Sequence, residues 1–110
     1  MEPRMQRLAE NESVFRAVNE LIETTATQTG VDDHVFEFLC ECSDTSCTML
    51  LPLTVFEYEQ VRADPTQFLI APEHERPELE TVVARHDSYE IVRKFGEAAD
   101  YVTQRDPRTI

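Results

Sequence analysis

Apolar residues in the first quarter of the chain recur at three- and four-residue steps, which is the spacing of one face of an α-helix. The pattern predicts a long helix over residues 5 to about 27, with Gly30 as its C-terminal stop. Charged and amide side chains fill most other positions, so the apolar stripe is expected to pack against a core. The alternative is a helix that docks on a partner protein or on its own copy in a dimer. The stripe consists of Leu8, Val14, Phe15, Val18, Leu21 and Ile22.

From Phe36 the residues alternate between two faces, and a period of two is typical of a β-strand. Four short polar residues at positions 43–46 favour a turn, and a second apolar run covers residues 49–51. The sequence therefore predicts a β-hairpin that brings the two ends of this stretch together. One face of its first strand carries Phe36, Phe38, Cys40 and Cys42, and the other carries Glu37, Leu39 and Glu41.

Thr54, followed three residues later by Glu57, is the signature of a capping box at the start of a helix. It predicts a short helix over residues 55–63. The pair Asp64 and Pro65 should end this helix, because a residue that precedes proline avoids helical backbone angles. A third strand is expected over residues 67–71, where the chain is again apolar.

Two further strands are predicted over residues 79–84 and 88–95, with a turn at residues 86–88. A second short helix is expected over residues 97–104, followed by a flexible tail at residues 105–110. Residues 1–104 would thus form one α+β domain, with a long N-terminal helix packed on a small antiparallel sheet of hairpins and one or two short helices. The predicted core consists of Leu8, Phe15, Val18 and Ile22 against Phe36 or Leu39, Leu51, Phe68, Ile70, Val83, Ile91 and Phe95.

All three cysteines of the chain, Cys40, Cys42 and Cys47, lie in the first predicted hairpin at the spacing C-x-C-x4-C. Converging thiolates are good zinc ligands, and three of them need a fourth ligand to close a structural site. The spacing is less specific than paired C-x2-C motifs, so two other interpretations stay open. The thiols are compatible with ordinary buried cysteines, and Cys47 is placed to form a disulfide with Cys40 or Cys42.

Three histidines are candidates for the fourth ligand. His74 lies in a loop between Pro72 and Pro77, where a restricted backbone suits a ligand that is distant in sequence. His34 stands at the far end of the first strand, and His86 falls in the second predicted turn. We therefore rank His74 first, with the other two histidines or a carboxylate as alternatives.

The chain is strongly acidic, with 10 basic and 22 acidic residues and a formal net charge of -12. This charge opposes binding to nucleic-acid backbones and to anionic membrane surfaces. The N-terminus has no apolar signal region, and no apolar run approaches the length of about 20 residues that a membrane span needs. We expect a cytoplasmic protein with a protein partner, in a reducing compartment that favours thiolate ligands over disulfides.

The chain resembles a family of small uncharacterised proteins encoded in actinobacterial and related bacterial genomes. The resemblance spans residues 15–94 and rests on the order of Cys40-Glu41-Cys42, Cys47, Leu53-Thr54, Glu57-Tyr58-Glu59, Val61-Arg62, Phe68 and His74-Glu75. It adds weight to the cysteine and histidine positions and implies no activity. Ser43 and Glu73 stand where that family has glycine, the residue that best tolerates positive φ.

The leading hypothesis is a zinc-stabilised binding or regulatory module without enzymatic activity, in which the three cysteines and His74 hold the ion. One alternative is a thiol redox sensor that oxidises Cys42 and Cys47 to a disulfide. Another is a small metal-dependent hydrolase with an open coordination position. Its base would be Glu41, Asp44, Glu73 or Glu75.

Overall fold

The computed structural model describes residues 1–28 and 34–108. Gly30, the predicted stop of the first helix, lies outside the described residues. The described elements form three helices and two antiparallel sheets, which confirms the predicted α+β class. In chain order they are α1 (Pro3–Gln28), β1 (Val35–Leu39), β2 (Leu50–Thr54), α2 (Val55–Arg62), β3 (Gln67–Ile70), β4 (Glu80–Arg85), β5 (Glu90–Lys94) and α3 (Gly96–Gln104).

The strands divide between two sheets, whereas the sequence predicts one. Strands β1 and β2 form the first hairpin, with Phe38 opposite Leu51. The other sheet has the order β3-β5-β4, and both of its pairings are antiparallel. Just beyond β1, the backbone N–H of Glu41 donates to the carbonyl of Leu69 in β3 over 2.7 Å. The cysteine-bearing segment therefore runs from the first sheet to the second.

The predicted capping box at the start of α2 is confirmed. The hydroxyl of Thr54 accepts a hydrogen bond from the backbone N–H of Glu57 over 3.1 Å, and the Glu57 carboxylate accepts from the Thr54 N–H over 2.9 Å. Two of the otherwise unpaired donors at the helix start are satisfied in this way. Local side-chain chemistry thus places α2 directly after β2.

Helix α1 packs with a polar face inward, opposite to the prediction. Val14 and Leu21 from the apolar stripe are 61% and 70% exposed, and Val18 is 38% exposed. Leu8, Phe15 and Ile22 are half-buried. The fully buried residues of α1 are instead Ala9, Glu12, Arg16, Asn19 and, nearly so, Ala26. A polar face can be buried when its groups find partners, and the partners here lie on distant parts of the chain.

Glu12 finds its partner in Lys94 of strand β5. The Lys94 ammonium donates to the carboxylates of both Glu12 and Glu80, and all three side chains are fully buried. Burial raises the pKa of Glu12, and the attraction of Lys94 works in the opposite direction. We call these three residues the buried ion cluster, and it ties α1 to both strands of the second hairpin.

Arg16 is the other buried charge on α1. Its guanidinium donates to the carbonyls of Pro65 and Val102 over 2.6 and 2.7 Å. The same group lies over the ring of Phe68, 4.4 Å from the ring centre. Hydrogen bonds and a cation–π contact therefore replace the apolar packing that the sequence predicts at this part of the helix.

The apolar core lies between the two sheets and α2. Of the predicted core residues on the strands, Leu51, Phe68, Ile70 and Ile91 are buried, and Phe36 and Leu39 are half-buried. The predictions for Val83 and Phe95 are wrong, since these side chains are 40% and 48% exposed. Val83 points outward on β4, which is an edge strand, and Phe95 follows the end of β5.

The last described residues contact the folded body. Asp106 is buried and pairs with Arg62 of α2. The guanidinium of Arg108 pairs with the carboxylates of Glu20, Glu23 and Glu59. The sequence gives no sign of these ion pairs, and residues 109 and 110 of the predicted tail lie outside the described residues.

Replacing Lys94 by methionine is expected to lower the free energy of unfolding by about 3–5 kcal/mol, because it leaves the buried carboxylates of Glu12 and Glu80 without their cation. The exposed neighbour Arg93 is the matched control, and Arg93→Met should cost less than about 1 kcal/mol. Urea unfolding of the two variants and the wild type measures both effects. Equal costs for the two substitutions would contradict the role of the buried ion cluster.

Candidate metal centre

The three cysteines and His74 come together at one point between the first hairpin and the loop after β3. One ligand atom from each of Cys40, Cys42, Cys47 and His74 can be chosen so that all four lie within 4.8 Å of one another. Nδ1 of His74 is 3.5 Å from Sγ of Cys40 and 3.7 Å from Sγ of Cys47. With Zn–S near 2.3 Å and Zn–N near 2.0 Å, tetrahedral zinc holds sulfur and nitrogen about 3.6 Å apart. The sulfur–nitrogen distances fit a single tetrahedral ion.

Strand pairing positions the first two thiols. The backbone N–H of Cys40 donates to the carbonyl of Met49 over 3.1 Å, which continues the β1–β2 pairing by one residue. The N–H of Ala71 donates to Sγ of Cys40 over 3.1 Å. Cys42 lies two residues further along, and alternation in an extended chain places its side chain on the same side as that of Cys40.

The turn between β1 and β2 returns Cys47 to the other thiols. The Asp44 carboxylate accepts hydrogen bonds from the N–H and the hydroxyl of Ser46 over 2.9 and 2.6 Å. The carbonyl of Asp44 accepts from the N–H of Cys47 over 3.0 Å. Short polar side chains that bond their own backbone in this way favour turns, as the sequence of this segment predicts.

A tight turn carries His74 to the thiols. The N–H of His74 donates to the carbonyl of Ala71 over 3.1 Å, with Pro72 and Glu73 between them. Glu73 has a φ of 70°, and among the described residues it is the one non-glycine residue with positive φ. Proline at the second position and positive φ at the third are typical of a type II turn, in which glycine is preferred at the third position. The glycine that the resembling family has here is therefore the residue that this backbone favours.

The other two histidines lie away from the thiols. The ring of His34 packs against Phe36 with 4.5 Å between ring centres. The ring of His86 stacks on Tyr89 at the same separation, in the turn between β4 and β5. The structure thus brings His74, and neither alternative histidine, to the cysteines.

The three thiols differ in their acidity. A hydrogen bond with Cys40 lowers the pKa of Cys42 to about 5, although burial opposes the shift. The same hydrogen bond, together with burial, raises the pKa of Cys40, and burial raises the pKa of Cys47. The shift favours the thiolate of Cys42, which is the form of cysteine that binds metals and reacts as a nucleophile.

Glu41 lies between the two thiols in sequence and points away from them into the protein. Its carboxylate accepts hydrogen bonds from the hydroxyl of Tyr58, the side-chain amide of Asn19 and the backbone N–H of Leu69, over 2.7, 2.9 and 2.9 Å. Burial raises its pKa, while these hydrogen bonds favour the carboxylate. Its oxygens are thus engaged by the fold. The contacts of Asn19 and Tyr58 with Glu41 are not predicted from the sequence. The alternation of side chains along residues 36–42 does predict that Glu41 points to the side opposite to the thiols.

A cleft of about 260 Å3 opens beside the four candidate ligands, lined by Cys42, Asp44, Glu73, His74, Glu75 and Arg76. The guanidinium of Arg76, one of these residues, donates a hydrogen bond of 2.7 Å to the hydroxyl of Ser43. Asp44, Glu73 and Glu75, three of the four acidic residues considered as bases, line this cleft, whereas Glu41 does not.

No protein-family model matches the chain, and comparison with the curated proteins and the solved structures gives no significant similarity. The resemblance to small actinobacterial-type proteins therefore stays a prediction. Within residues 1–28 and 34–108, no helix is both long enough and apolar enough to cross a membrane.

Replacing Glu73 by glycine is expected to raise the free energy of unfolding by about 0.5–1 kcal/mol, because a side chain at positive φ is strained and glycine is not. Glu75→Gly in the same loop is the control. It should lower stability, since glycine there adds only freedom to the unfolded chain. Thermal unfolding of both variants gives the comparison. If Glu73→Gly is less stable than the wild type, the assigned turn geometry is wrong.

Proposed function

We propose that the chain is a small zinc-stabilised binding or regulatory module without enzymatic activity, which acts through contacts with other proteins. The observation that carries this proposal is the convergence of Cys40, Cys42, Cys47 and His74, whose ligand atoms lie within 4.8 Å of one another, with two sulfur–nitrogen distances that fit tetrahedral zinc. A cysteine-rich set with one histidine is a usual ligand set of structural zinc. In that role the ion joins the first hairpin to the loop after β3 and contributes directly to folding.

Four protein ligands favour a structural role over a catalytic one. Catalytic zinc usually has three protein ligands and an open position for water, whereas His74 here supplies the fourth donor. Three thiolates also place much negative charge on the ion and weaken it as a Lewis acid. Glu41, the candidate base nearest in sequence, is engaged by three hydrogen bonds. A metal-dependent hydrolase is therefore the less favoured proposal.

A thiol redox sensor is the second candidate function. It is supported by the lowered pKa of Cys42, whose thiolate lies close to Cys47. Oxidation would join these two sulfur atoms in a disulfide, with peroxide as the two-electron acceptor. A bound metal would compete with this reaction, because it occupies both thiolates. Metal content therefore separates the two candidates.

The proposed location is the cytoplasm, where reducing conditions keep thiols available as ligands. Contact with proteins is supported by the outward face of α1, which carries Val14, Val18 and Leu21. Beside this face lies an apolar groove of about 330 Å3, lined by Val18, Leu21, Ile22, Thr25, Ala26 and Phe36. Exposed apolar surface of this kind is typical of interaction sites. A homodimer through α1 is the simplest such contact, while the acidic surface disfavours nucleic acid and anionic membranes.

Near-stoichiometric zinc is expected in the wild-type chain purified without added metal, measured by elemental mass spectrometry. Cys42→Ser should lose the metal, because it removes one of the three thiolate ligands of the site. His74→Ala should bind it more weakly, with three thiolates left. His86→Ala is the matched control, since that ring stacks on Tyr89 away from the site, and it should retain the wild-type content.

A wild type that is folded and stable without any metal would contradict the zinc proposal. Peroxide treatment of that metal-free chain, with the disulfide mapped by mass spectrometry, would then test the sensor that uses Cys42 and Cys47. Loss of zinc in His86→Ala as well would show that the decrease in the other variants reflects general damage to the fold.

Replacing Leu21 by aspartate is expected to convert a dimer into a monomer, because it places a charge at the centre of the outward apolar face of α1. Ser88→Asp, at an exposed position in the turn between β4 and β5 and away from α1, is the control and should leave the dimer intact. Light scattering on a size-exclusion column measures the mass of each. A monomeric wild type would exclude self-association through α1 and leave a different protein as the partner.

A further inference from the structure

Helix α1 holds the segment that carries the first two thiols. The side chain of Asn19 accepts from the N–H of Leu39 and donates to its carbonyl, both over 2.8 Å, and it also donates to Glu41. Asn11 donates to the carbonyl of Ser43 over 3.0 Å. These contacts fall immediately before, between and after Cys40 and Cys42. The position of α1 and the position of both thiols are therefore linked.

A second set of contacts connects the histidine loop to α1. Arg76, two residues after His74, bonds the Ser43 hydroxyl through its guanidinium, and its backbone N–H donates to the Glu80 carboxylate over 2.9 Å. Glu80 belongs to the buried ion cluster, in which Lys94 also binds Glu12 of α1. A continuous series of hydrogen bonds and ion pairs thus runs from the loop of the fourth ligand to the helix.

The contact face of α1 contains little apolar surface. Its fully or almost fully buried apolar residues are Ala9 and Ala26, while Glu12, Arg16 and Asn19 make the central contacts. Polar contacts depend on distance and angle, and a buried polar group that loses its partner is costly. From α1 the apolar core receives the buried Ala9 and the half-buried Ile22, whereas most of its members lie on the strands and α2: Phe38, Leu51, Leu53, Val61, Phe68, Ile70 and Val92. Docking of α1 is therefore more sensitive to small displacements than the sheets are.

We propose that the metal centre controls the docking of helix α1, so that metal binding holds the helix on the body and metal loss releases it. The inference rests on the proposed function, because it takes the four ligands to be a metal site. An ion bound by Cys40, Cys42, Cys47 and His74 fixes residues 39–43 and the loop through Arg76 in one geometry. Without the ion these segments shift, and the hydrogen bonds of Asn11 and Asn19 and the alignment of the buried ion cluster are lost together. The chain is then a metal-dependent switch whose moving part is α1.

Amide hydrogen exchange followed by mass spectrometry tests this inference on the full chain, first loaded with zinc and then treated with EDTA. Amides of residues 9–26 should exchange about 5- to 150-fold faster after the metal is removed, the range typical of coupling between two sites. Amides of β3 and β5 should keep most of their protection, because these strands pair with each other and most of their core residues lie outside α1. Elemental analysis of the same samples reports whether metal was present and was removed.

The outcomes separate the two proposals. A chain that binds no zinc overturns the proposed function. Zinc that is bound and removed with no change in α1 overturns the switch alone, and so does an equal loss of protection in α1, β3 and β5, which would mean global unfolding. Faster exchange confined to α1 supports the switch.

Two serine variants test whether the contacts of Arg76 connect the metal centre to α1. Ser43→Ala removes the hydroxyl that bonds Arg76 and leaves all four ligands in place, so α1 should exchange faster in the zinc-loaded protein. Ser46→Ala in the same turn is the control, since its hydroxyl bonds only Asp44 among the described contacts, and it should leave α1 unchanged. If Ser43→Ala with zinc bound also leaves α1 unchanged, the link through Arg76 is excluded.

Discussion

The hydrogen bonds to the buried carboxylate of Glu41 are the interactions on which the arrangement of α1, α2 and β3 depends. A carboxylate without water or a partner is costly inside a protein, and this one is compensated by donors from α1, α2 and β3. Three separate elements are thereby fixed around a single residue. Because Cys40 and Cys42 flank that residue in the chain, the same constraint sets where the thiols emerge. The buried network around Glu41 and the candidate metal centre therefore lie on opposite sides of one extended segment.

Local signals in the sequence predict the elements well, and they do not predict which face of α1 is buried. The capping box at Thr54 and the turn residues around Asp44 act over a few positions, so their effect can be read directly from the chain. The helical period of α1 can also be read from the chain, but both its apolar stripe and its polar face follow this period, so the period alone does not tell which face is buried. Burial of the polar face is decided by partners as far away as Lys94 and Val102, which are 82 and 86 residues from the side chains that they contact. Such partners have no local signature.

The same distinction applies to the candidate site. Alternation around Cys40 and the turn before Cys47 are sufficient to predict that three thiols converge, and two flanking prolines point to the loop of His74. The sequence does not predict the positive φ of Glu73, because glutamate rarely adopts it. The contacts of Asn19 and Tyr58 with Glu41 are likewise invisible, because an asparagine on a helix and a tyrosine near a helix start are each common without a special role.

The polar contact face of α1 has a consequence for how the chain folds during its synthesis. The helix is made first, but Lys94, the carbonyl of Val102 and the guanidinium of Arg108 leave the ribosome much later. Nascent chains fold as their segments emerge, and an apolar surface that waits for its partners is prone to aggregation. The polar side chains of Glu12, Arg16 and Asn19 can stay hydrated until their partners have been synthesised. A hydrophilic interface therefore lets the first element of the fold be the last to dock.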